Sequence, residues 1–324
     1  GVDLRLPAGE NIAPPTDSGK FRANVTAIKL LKQLEAENRP ATPAEQRVLS
    51  QYSGWGWAKE VFSETNPRWE KQREELRPLL TKEEWESAAG SSLNAHYTHP
   101  KIVSGIWKLL EHLGFKGGRF LDPSFGSGLF VGLMPDELHR NSSIIAVELD
   151  SLTARMAAKM YPQVDVRNEG FEEARVPNNS MDLASSNVPF GEYTIAGTDY
   201  QGLKIHDYFF LRGIDKVKPG GLVAFITSNG TMDKVDPKVR QMIAEKADLV
   251  GAVRFPNNAF KENAGTEVTT DLIILRKKDG TPFEGQECDP LDPQHCGGGQ
   301  CRSEIKNSVA CLGFGPPGGG NGVT

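Results

Sequence analysis

Seven short apolar runs alternate with helix-like stretches in the second two thirds of the chain, and this alternation limits the possible folds more than any other feature. The runs cover residues 119–122, 144–148, 164–166, 181–185, 222–227, 249–253 and 272–275. Short buried strands separated by helices pair mainly in parallel, with helices on both faces of the sheet. The pattern therefore predicts an α/β fold with a Rossmann-like, mostly parallel sheet.

The first 90 residues follow a different pattern. Apolar residues recur at near-helical spacing over 23–37, which predicts a helix there. Thr42 and Thr81 each begin a capping signal, with Pro43 at a first helical position. These signals predict a helical N-terminal appendage over residues 1–90, with the first 20 residues loose. Within it, Gly54-Trp55-Gly56-Trp57 is read as a turn with packing aromatics, or alternatively as a stacking platform.

Length and composition favour a folded protein outside the membrane. With 324 residues, 38% of them hydrophobic, the chain can form one large α/β domain with appendages. No apolar run approaches the roughly 20 residues of a membrane helix, and no leader pattern is present. We therefore expect a cytoplasmic protein and no membrane partner. The start at Gly1 fits a piece of a longer product.

Charge and cysteine content argue against two kinds of site. The net charge of −5 argues against a chain-wide basic surface, which lowers the expected affinity for nucleic acid without excluding it. All four cysteines lie after residue 287 and lack the paired spacing of zinc sites, so we expect no bound metal. Residues 279–324 contain glycine and cysteine but no periodic pattern, which predicts a tail that is disordered or foreign to the natural protein.

A glycine-containing loop follows the first predicted strand and reads Asp122-Pro123-Ser124-Phe125-Gly126-Ser127-Gly128. The carboxyl end of a first strand is where α/β sheets bind ligands. The loop lacks both the Gly-x-Gly-x-x-Gly pattern and the Lys-Ser/Thr pair of phosphate loops. Its acidic strand end instead favours a cationic or amino-bearing ligand, the alternative being a structural turn.

Two later segments extend this predicted cofactor site. Glu148 ends the second strand about 20 residues after the loop, where a carboxylate can accept both hydroxyls of a ribose. After the third strand, residues 169–172 contain Gly170 and Phe171, which offer a polar contact and an aromatic wall to an adenine ring. Together they predict a cofactor that contains adenosine.

The tetrapeptide Asn187-Val188-Pro189-Phe190 ends the fourth predicted strand. An aromatic amino group is a poor nucleophile because its lone pair is delocalised. The Asn187 side-chain oxygen and the Val188 carbonyl can each accept one of its N–H bonds, which draws the nitrogen towards tetrahedral geometry. Phe190 would stack on the ring, and Pro189 would stiffen the turn. This arrangement predicts methylation of an amino group, with catalysis mainly by positioning and electrostatics.

In this order, these motifs resemble the S-adenosylmethionine-dependent adenine-N6 DNA methyltransferases. The resemblance implies a class I methyltransferase domain over residues 91–278 with a seven-stranded sheet and a late antiparallel strand. It implies catalysis by Asn187, Val188, Pro189 and Phe190 on an adenine flipped out of DNA. The cofactor S-adenosylmethionine would be bound by Tyr97, Thr98, Asp122, Pro123, Ser124, Gly126, Gly128, Glu148, Leu149, Gly170 and Phe171.

The family signature usually has proline where this chain has Val188. Valine keeps the carbonyl acceptor, adds an N–H and loses rigidity, so we expect chemistry that is retained or slowed. Segments around Asn24, Gly54, Thr98, Asn187 and His206 are similar to the methylase region of large phage and mobile-element methylase-helicase proteins. This branch implies a bacterial or phage-encoded protein and a helicase region in the same parent chain.

Two alternatives remain open at this point. The same chemistry could act on an RNA base or on a protein glutamine amide. A cofactor-binding module without catalysis, which docks a larger machine on DNA, is the other alternative, and it is motivated by Val188, the acidic charge balance and the lack of a recognisable target-recognition segment.

Overall fold

We describe a computed structural model of the chain. It describes residues 1–9, 12–91, 98–196, 199–255 and 269–281. Tyr97 and the four cysteines, with most of the predicted tail, lie outside the described residues.

The sheet contains seven strands, and each coincides with one of the predicted apolar runs. They are β1 (Gly118–Asp122), β2 (Ser142–Val147), β3 (Asp165–Arg167), β4 (Met181–Asn187), β5 (Val217–Ser228), β6 (Ala247–Arg254) and β7 (Thr270–Lys277). Their order is β3-β2-β1-β4-β5-β7-β6, with β7 antiparallel to both of its neighbours and the remaining pairs parallel. The predicted mostly parallel sheet with a late antiparallel strand is confirmed.

Eleven α-helices lie in the described part of the chain. They are α1 (Asp17–Ala36), α2 (Pro43–Ser50), α3 (Glu70–Leu76), α4 (Lys82–Ser91), α5 (Pro100–His112), α6 (Leu129–Gly132), α7 (Asp136–Arg140), α8 (Ser151–Met160), α9 (Ile205–Lys216), α10 (Gly230–Asp233) and α11 (Lys238–Lys246). Short 3-10 helices cover Gly56–Phe62, Pro67–Trp69 and Arg77–Leu79. None of the described helices is both long enough and apolar enough to cross a membrane.

Successive residues of the strands are buried on opposite faces of the sheet. Phe120 and Leu183 belong to a hydrophobic cluster with α1, α5 and α8, whereas Leu121 and Ala184 belong to a second cluster with α9 and α11. Side chains alternate across a strand with a period of two. Both faces are therefore covered, which explains the nearly continuous apolar runs in the sequence.

The N-terminal helices begin at capping residues. In α2, Thr42 accepts a hydrogen bond from the Glu45 N–H and the Glu45 carboxylate accepts one from the Thr42 N–H, which confirms the predicted capping box. Thr81 and Glu84 make the same pair of bonds at α4. Helix α1 begins earlier than predicted because Thr16 caps it. These helices share a hydrophobic cluster with the sheet.

The prediction that the first 20 residues are loose was wrong. The Leu4 N–H donates to the Met160 carbonyl at 2.9 Å and the Leu6 N–H donates to the Gly132 carbonyl at 2.8 Å. Asp3 is buried and accepts a hydrogen bond from the Gln163 N–H. These partners lie more than 120 residues away in sequence, so a local reading of proline and glycine content could not reveal them.

Candidate active site

A cavity of about 610 Å³ opens where the carboxyl ends of β1, β2 and β4 meet. Strand β1 lies between β2 and β4, so the chain order reverses beside it. Open α/β sheets bind ligands at such a switch point, and the volume lies in the range of small-molecule sites. We call its strand-end side the sheet wall: Pro123, Ser124, Phe125, Gly126, Ser127, Glu148, Leu149, Asp150, Asn187 and Pro189.

The two predicted loop glycines have different structural roles. Gly126 has φ +56°, and a Cβ there would meet no atom of the described residues within 4 Å. Its N–H donates to Glu148 Oε2 at 2.7 Å. Gly128 has φ +75° and is not on the cavity wall; a Cβ there would overlap the rings of Phe125 and Tyr161. Gly126 therefore shapes the cavity, and Gly128 lets the loop pack.

Asp122 lies beneath the sheet wall and is only 1% exposed. Its Oδ1 accepts hydrogen bonds from the Ser186 hydroxyl at 2.7 Å and the Ser124 N–H at 3.2 Å. Within the described part of the chain its Oδ2 is buried and accepts none. Burial raises the pKa of Asp122 to about 7, although the Ser186 and Ser124 bonds oppose the shift. Asp122 therefore supports the loop from beneath and, unlike residues 123–127, is not one of the residues that line the cavity.

Glu148 connects the first two strand ends. Its Oε1 accepts a hydrogen bond from the Asp150 N–H at 2.8 Å, while Oε2 accepts the Gly126 N–H. Enclosure by the protein raises the pKa of Glu148 to about 7 against these bonds. Each oxygen keeps lone pairs for a further donor. The adjacent Leu149 is 73% exposed at the cavity wall.

The predicted aromatic wall is also present. Gly170 and Phe171 line the cavity beyond β3, and Phe171 is 2% exposed. Its ring lies 5.1 Å from that of Phe209 and 5.1 Å from the Arg212 guanidinium, whose Nε donates to the Phe171 carbonyl at 2.9 Å. Phe171 is therefore held rigidly at the cavity edge.

The tetrapeptide begins at the last residue of β4. Asn187 lies on the cavity wall, and its Nδ2 donates to the Thr98 Oγ1 at 2.9 Å. Thr98, predicted as a cofactor residue, is 5% exposed and also lines the cavity. The Asn187 amide is thus fixed in orientation by a side chain 89 residues away.

Val188 is completely buried, and its N–H donates to the Ile226 carbonyl of β5 at 3.0 Å. The N–H that valine adds relative to proline is therefore used to extend the pairing of β4 with β5. This bond restrains the backbone and offsets the loss of rigidity expected from the sequence.

The remaining two tetrapeptide residues differ in position. Pro189 lines the cavity, whereas Phe190 is not among the lining residues. Tyr193 does line the cavity. Its carbonyl accepts a hydrogen bond from the Ile205 N–H, which connects the segment after β4 to the start of α9. The stacking role of Phe190 stays a prediction.

A second side of the cavity was not predicted from the sequence. We call it the helical wall: Tyr52, Ser53, Gly54, Gly56, Trp57, Ser87 and Gly90. Trp55 in the same turn is completely buried among aromatic rings, which confirms the predicted packing role. The Gly-Trp-Gly-Trp pattern marked a turn, but only the packing of the N-terminal helices on the sheet brings it to the cavity.

A family model, curated relatives and solved structures match this chain. A family model described as N-6 DNA Methylase matches residues 81–287, more than half of the chain. Defense against restriction protein B of Escherichia phage P1 is 31% identical over 67% of this chain. The chain spans only 10% of that phage protein.

One further curated protein and one solved structure are similar to this chain at lower identity. The rRNA N(6)-adenosine-methyltransferase metl-5 of Caenorhabditis elegans is 22% identical over 58% of this chain and 89% of its own length. The solved structure of a Listeria monocytogenes protein described as a class I S-adenosylmethionine-dependent methyltransferase superposes with a TM-score of 0.52 and 18% identity. It covers 84% of this chain and 95% of that one. At this identity the likeness shows the fold.

Proposed function

This chain belongs to the N-6 DNA methylase family, and we propose that it transfers a methyl group from S-adenosylmethionine to the N6 amino group of an adenine in DNA. It is a methyltransferase with the class I fold, and its cofactor is S-adenosylmethionine, as the sequence predicted. The adenine, the DNA and the roles of individual residues are the proposed part.

One observation carries the proposal: Asn187 lies on the same cavity as Gly126 and Glu148, with its amide held by Thr98. Because Nδ2 donates to Thr98, Oδ1 is directed away from that hydroxyl. An amide oxygen in a fixed direction is what an amino group needs as an acceptor.

The sheet wall also fits the cofactor. Glu148 has lone pairs for ribose hydroxyls, and Phe171 offers an edge for the adenine of the cofactor. Beneath the wall, the buried Oδ2 of Asp122 has no hydrogen-bond donor among the described residues. We assign the binding of S-adenosylmethionine to Glu148, Phe171 and the lining loop residues 123–127, with Asp122 and Gly128 holding the loop in place from beneath.

The chain's part in the reaction is positioning. When bound, S-adenosylmethionine supplies a methyl group on a positively charged sulfur. The Asn187 Oδ1 and the Val188 carbonyl accept the two N–H bonds of the adenine amino group, which localises the nitrogen lone pair for attack. The proton leaves the nitrogen after methylation, so no strong base is required. Fixed acceptors of this kind need no reorganisation during the reaction.

A base paired inside a duplex cannot reach this cavity, so the target adenine would be flipped out. Of the aromatic rings near the tetrapeptide, Tyr193 lines the cavity and Phe190 does not. Phe190 remains the predicted stacking residue, with Tyr193 as the second candidate. A helicase region elsewhere in a longer parent protein is also a proposal.

A second candidate acceptor is adenine in RNA. The relative from Caenorhabditis elegans, whose name specifies rRNA, aligns over 89% of its own length. The proposed site chemistry is identical for both nucleic acids, because the N6 amino group is the same. The alternative hypothesis of a non-catalytic docking module differs from both, because it predicts that the chain binds the cofactor but transfers no methyl group.

The experiment uses labelled S-adenosylmethionine with unmethylated DNA, ribosomal RNA or a glutamine-containing protein acceptor, followed by digestion and chromatography. We expect N6-methyladenine in DNA, formed at least about 100-fold more slowly with Asn187→Ala. Labelled methyl groups found only in RNA or only in protein would show that DNA is not the acceptor. Cofactor binding without transfer to any acceptor would favour the docking module.

A further inference from the structure

The helical wall comes from the N-terminal helices, whose residues are not among the predicted cofactor-binding residues. Its turn, residues 52–57, joins the end of α2 to the first 3-10 helix, and Ser87 and Gly90 lie on α4. These residues face the same cavity as Glu148 and Gly126. A ligand that fills this cavity therefore contacts both sides.

The turn is held by Asn24, a completely buried residue of α1. Its Nδ2 donates to the Gly54 carbonyl at 2.6 Å, and its Oδ1 accepts the Ser53 N–H at 2.9 Å. The Trp57 Nε1 donates to the same Gly54 carbonyl at 2.9 Å. Gly54 has φ +66°, a conformation that glycine adopts without strain. The backbone of the turn is thus fixed before any ligand arrives.

The helical wall is also connected to the sheet wall. The Ser87 hydroxyl donates to Asp150 Oδ1 at 2.8 Å. Asp150 caps α8 by accepting the Thr153 N–H, and its own N–H donates to Glu148. Burial, with the nearby Asp150 carboxylate, holds the pKa of Tyr52 well above its usual value. The Tyr52 phenol therefore stays protonated beside the acidic strand end.

We propose that the helical wall is a binding element for S-adenosylmethionine and that Asn24 is its positioning residue. The proposal rests on the proposed function only in placing the cofactor in this cavity. The wall presents an indole, hydroxyls and backbone groups beside Glu148 and Asp150, a surface suited to an amphipathic nucleoside ligand.

The first experiment removes an indole from the wall. Trp57→Ala is compared with Trp69→Ala, which removes the neighbouring indole, 6.1 Å away between ring centroids and not on the cavity wall. Calorimetry with S-adenosylhomocysteine and the full chain measures binding without any acceptor. We expect Trp57→Ala to raise the Kd about tenfold and Trp69→Ala to leave it within about threefold. Equal Kd values for the two folded variants would overturn the proposal.

A second pair of variants avoids removing packed atoms. A Cβ added at Gly90 on α4 or at Gly105 on α5 would meet no atom within 4 Å in the part of the chain that the structure describes, and of these two glycines Gly90 lines the cavity. Leucine is also a better helix former than glycine. Gly90→Leu should raise the Kd for S-adenosylhomocysteine more than about tenfold by occupying ligand space, and Gly105→Leu should not. An unchanged Kd for Gly90→Leu would contradict the proposal.

Asn24 is tested by Asn24→Asp, which keeps the acceptor for Ser53 and loses the donor to Gly54. We expect a higher Kd for S-adenosylhomocysteine and a higher KM for S-adenosylmethionine, with kcat unchanged at saturating cofactor. A purely structural role would lower kcat as well. If no acceptor is methylated, the Kd still decides this proposal, so its failure is separate from failure of the proposed function.

Discussion

The two walls of the cavity are built by different means. The sheet wall places its chemical groups at the ends of β1, β2 and β4, within short contiguous motifs. The helical wall places backbone, hydroxyl and indole groups that depend on Asn24 and Ser87 for their position. Strand ends mark where chemistry can occur, whereas the packing of distant helices completes the space in which it occurs.

The largest expected effect tests whether the sheet wall alone carries the chemistry. Asn187→Ala removes the acceptor that we propose for the reacting amino group, so kcat should fall about 10²–10³-fold, as for loss of one preorganised hydrogen-bond partner. The Kd for S-adenosylhomocysteine should change less than about twofold, because the cofactor contacts assigned here are elsewhere. Single-turnover methylation and calorimetry measure the two quantities.

Asn141→Ala is the matched control, since Asn141 is exposed at the amino end of β2. A comparable loss of kcat in this variant, or a parallel loss of cofactor affinity in Asn187→Ala, would remove the distinction between the walls.

The second effect is the pH dependence of stability. The helical wall has no carboxyl group, whereas the buried carboxyl of Asp122 lies beneath the sheet wall. The pKa of Asp122 is raised from 3.8 to about 7 by burial. The folded state therefore holds a proton that the unfolded state has lost between these values. This stabilisation is complete below pH 3.8 and disappears as the pH rises through about 7.

Between pH 5 and pH 8, the free energy of unfolding should fall by roughly 2–3 kcal/mol more in the parent than in Asp122→Asn. About two pKa units of the shift lie above pH 5, and each is worth about 1.4 kcal/mol. Denaturant unfolding of the cofactor-free protein at both pH values measures it. The control is Asp136→Asn, whose side chain is 73% exposed. An identical pH dependence in the parent and Asp122→Asn would contradict the buried-carboxyl explanation.

The third effect is that of Thr98, which fixes the Asn187 amide. Thr98→Val removes the hydroxyl acceptor with little change of shape, and we expect kcat to fall about tenfold, the equivalent of one hydrogen bond. Thr98→Ser keeps the hydroxyl and should stay near the parent value. An increase in KM for S-adenosylmethionine without a change in kcat would instead make Thr98 a cofactor residue, as the family resemblance implied.

The smallest effect is expected at Val188. Val188→Pro restores the usual family signature but removes the N–H that donates to Ile226. We expect kcat to stay within about threefold and the free energy of unfolding to fall by about 1 kcal/mol, because one sheet hydrogen bond is lost. Steady-state kinetics and denaturant titration test this. A tenfold gain in kcat would mean that valine impairs the site.

Most of the sheet, and the sheet wall of the cavity, could be predicted because the sequence patterns that mark them are local. Apolar runs report burial on both faces, and a polar residue at a strand end lies at the ligand edge wherever the strand pairs. Glu148 and Asn187 were found in this way. Capping residues such as Thr42 were found because a cap depends on three or four neighbouring positions.

The rest depended on contacts between distant segments. Trp57 and Ser87 reach the cavity only because the N-terminal helices pack on the cluster that contains Phe120. The Val188 bond to Ile226 required the register of β4 with β5. The positions of Phe190 and Tyr193 depend on how the segment after β4 returns to α9. None of these arrangements leaves a periodic signal in the sequence.

The junction between the N-terminal helices and α8 has a consequence for folding kinetics. Arg155 of α8 donates to the Glu35 carboxylate of α1 across 120 positions of sequence, and it also donates to Glu84. Contacts at such separation form slowly, because a long loop must close before they stabilise anything. During synthesis, α1 therefore leaves the ribosome well before its partner exists. The cavity is completed only after β4 and α9 have also been made, because Asn187 and Phe209 line it, which makes its assembly a late event in folding.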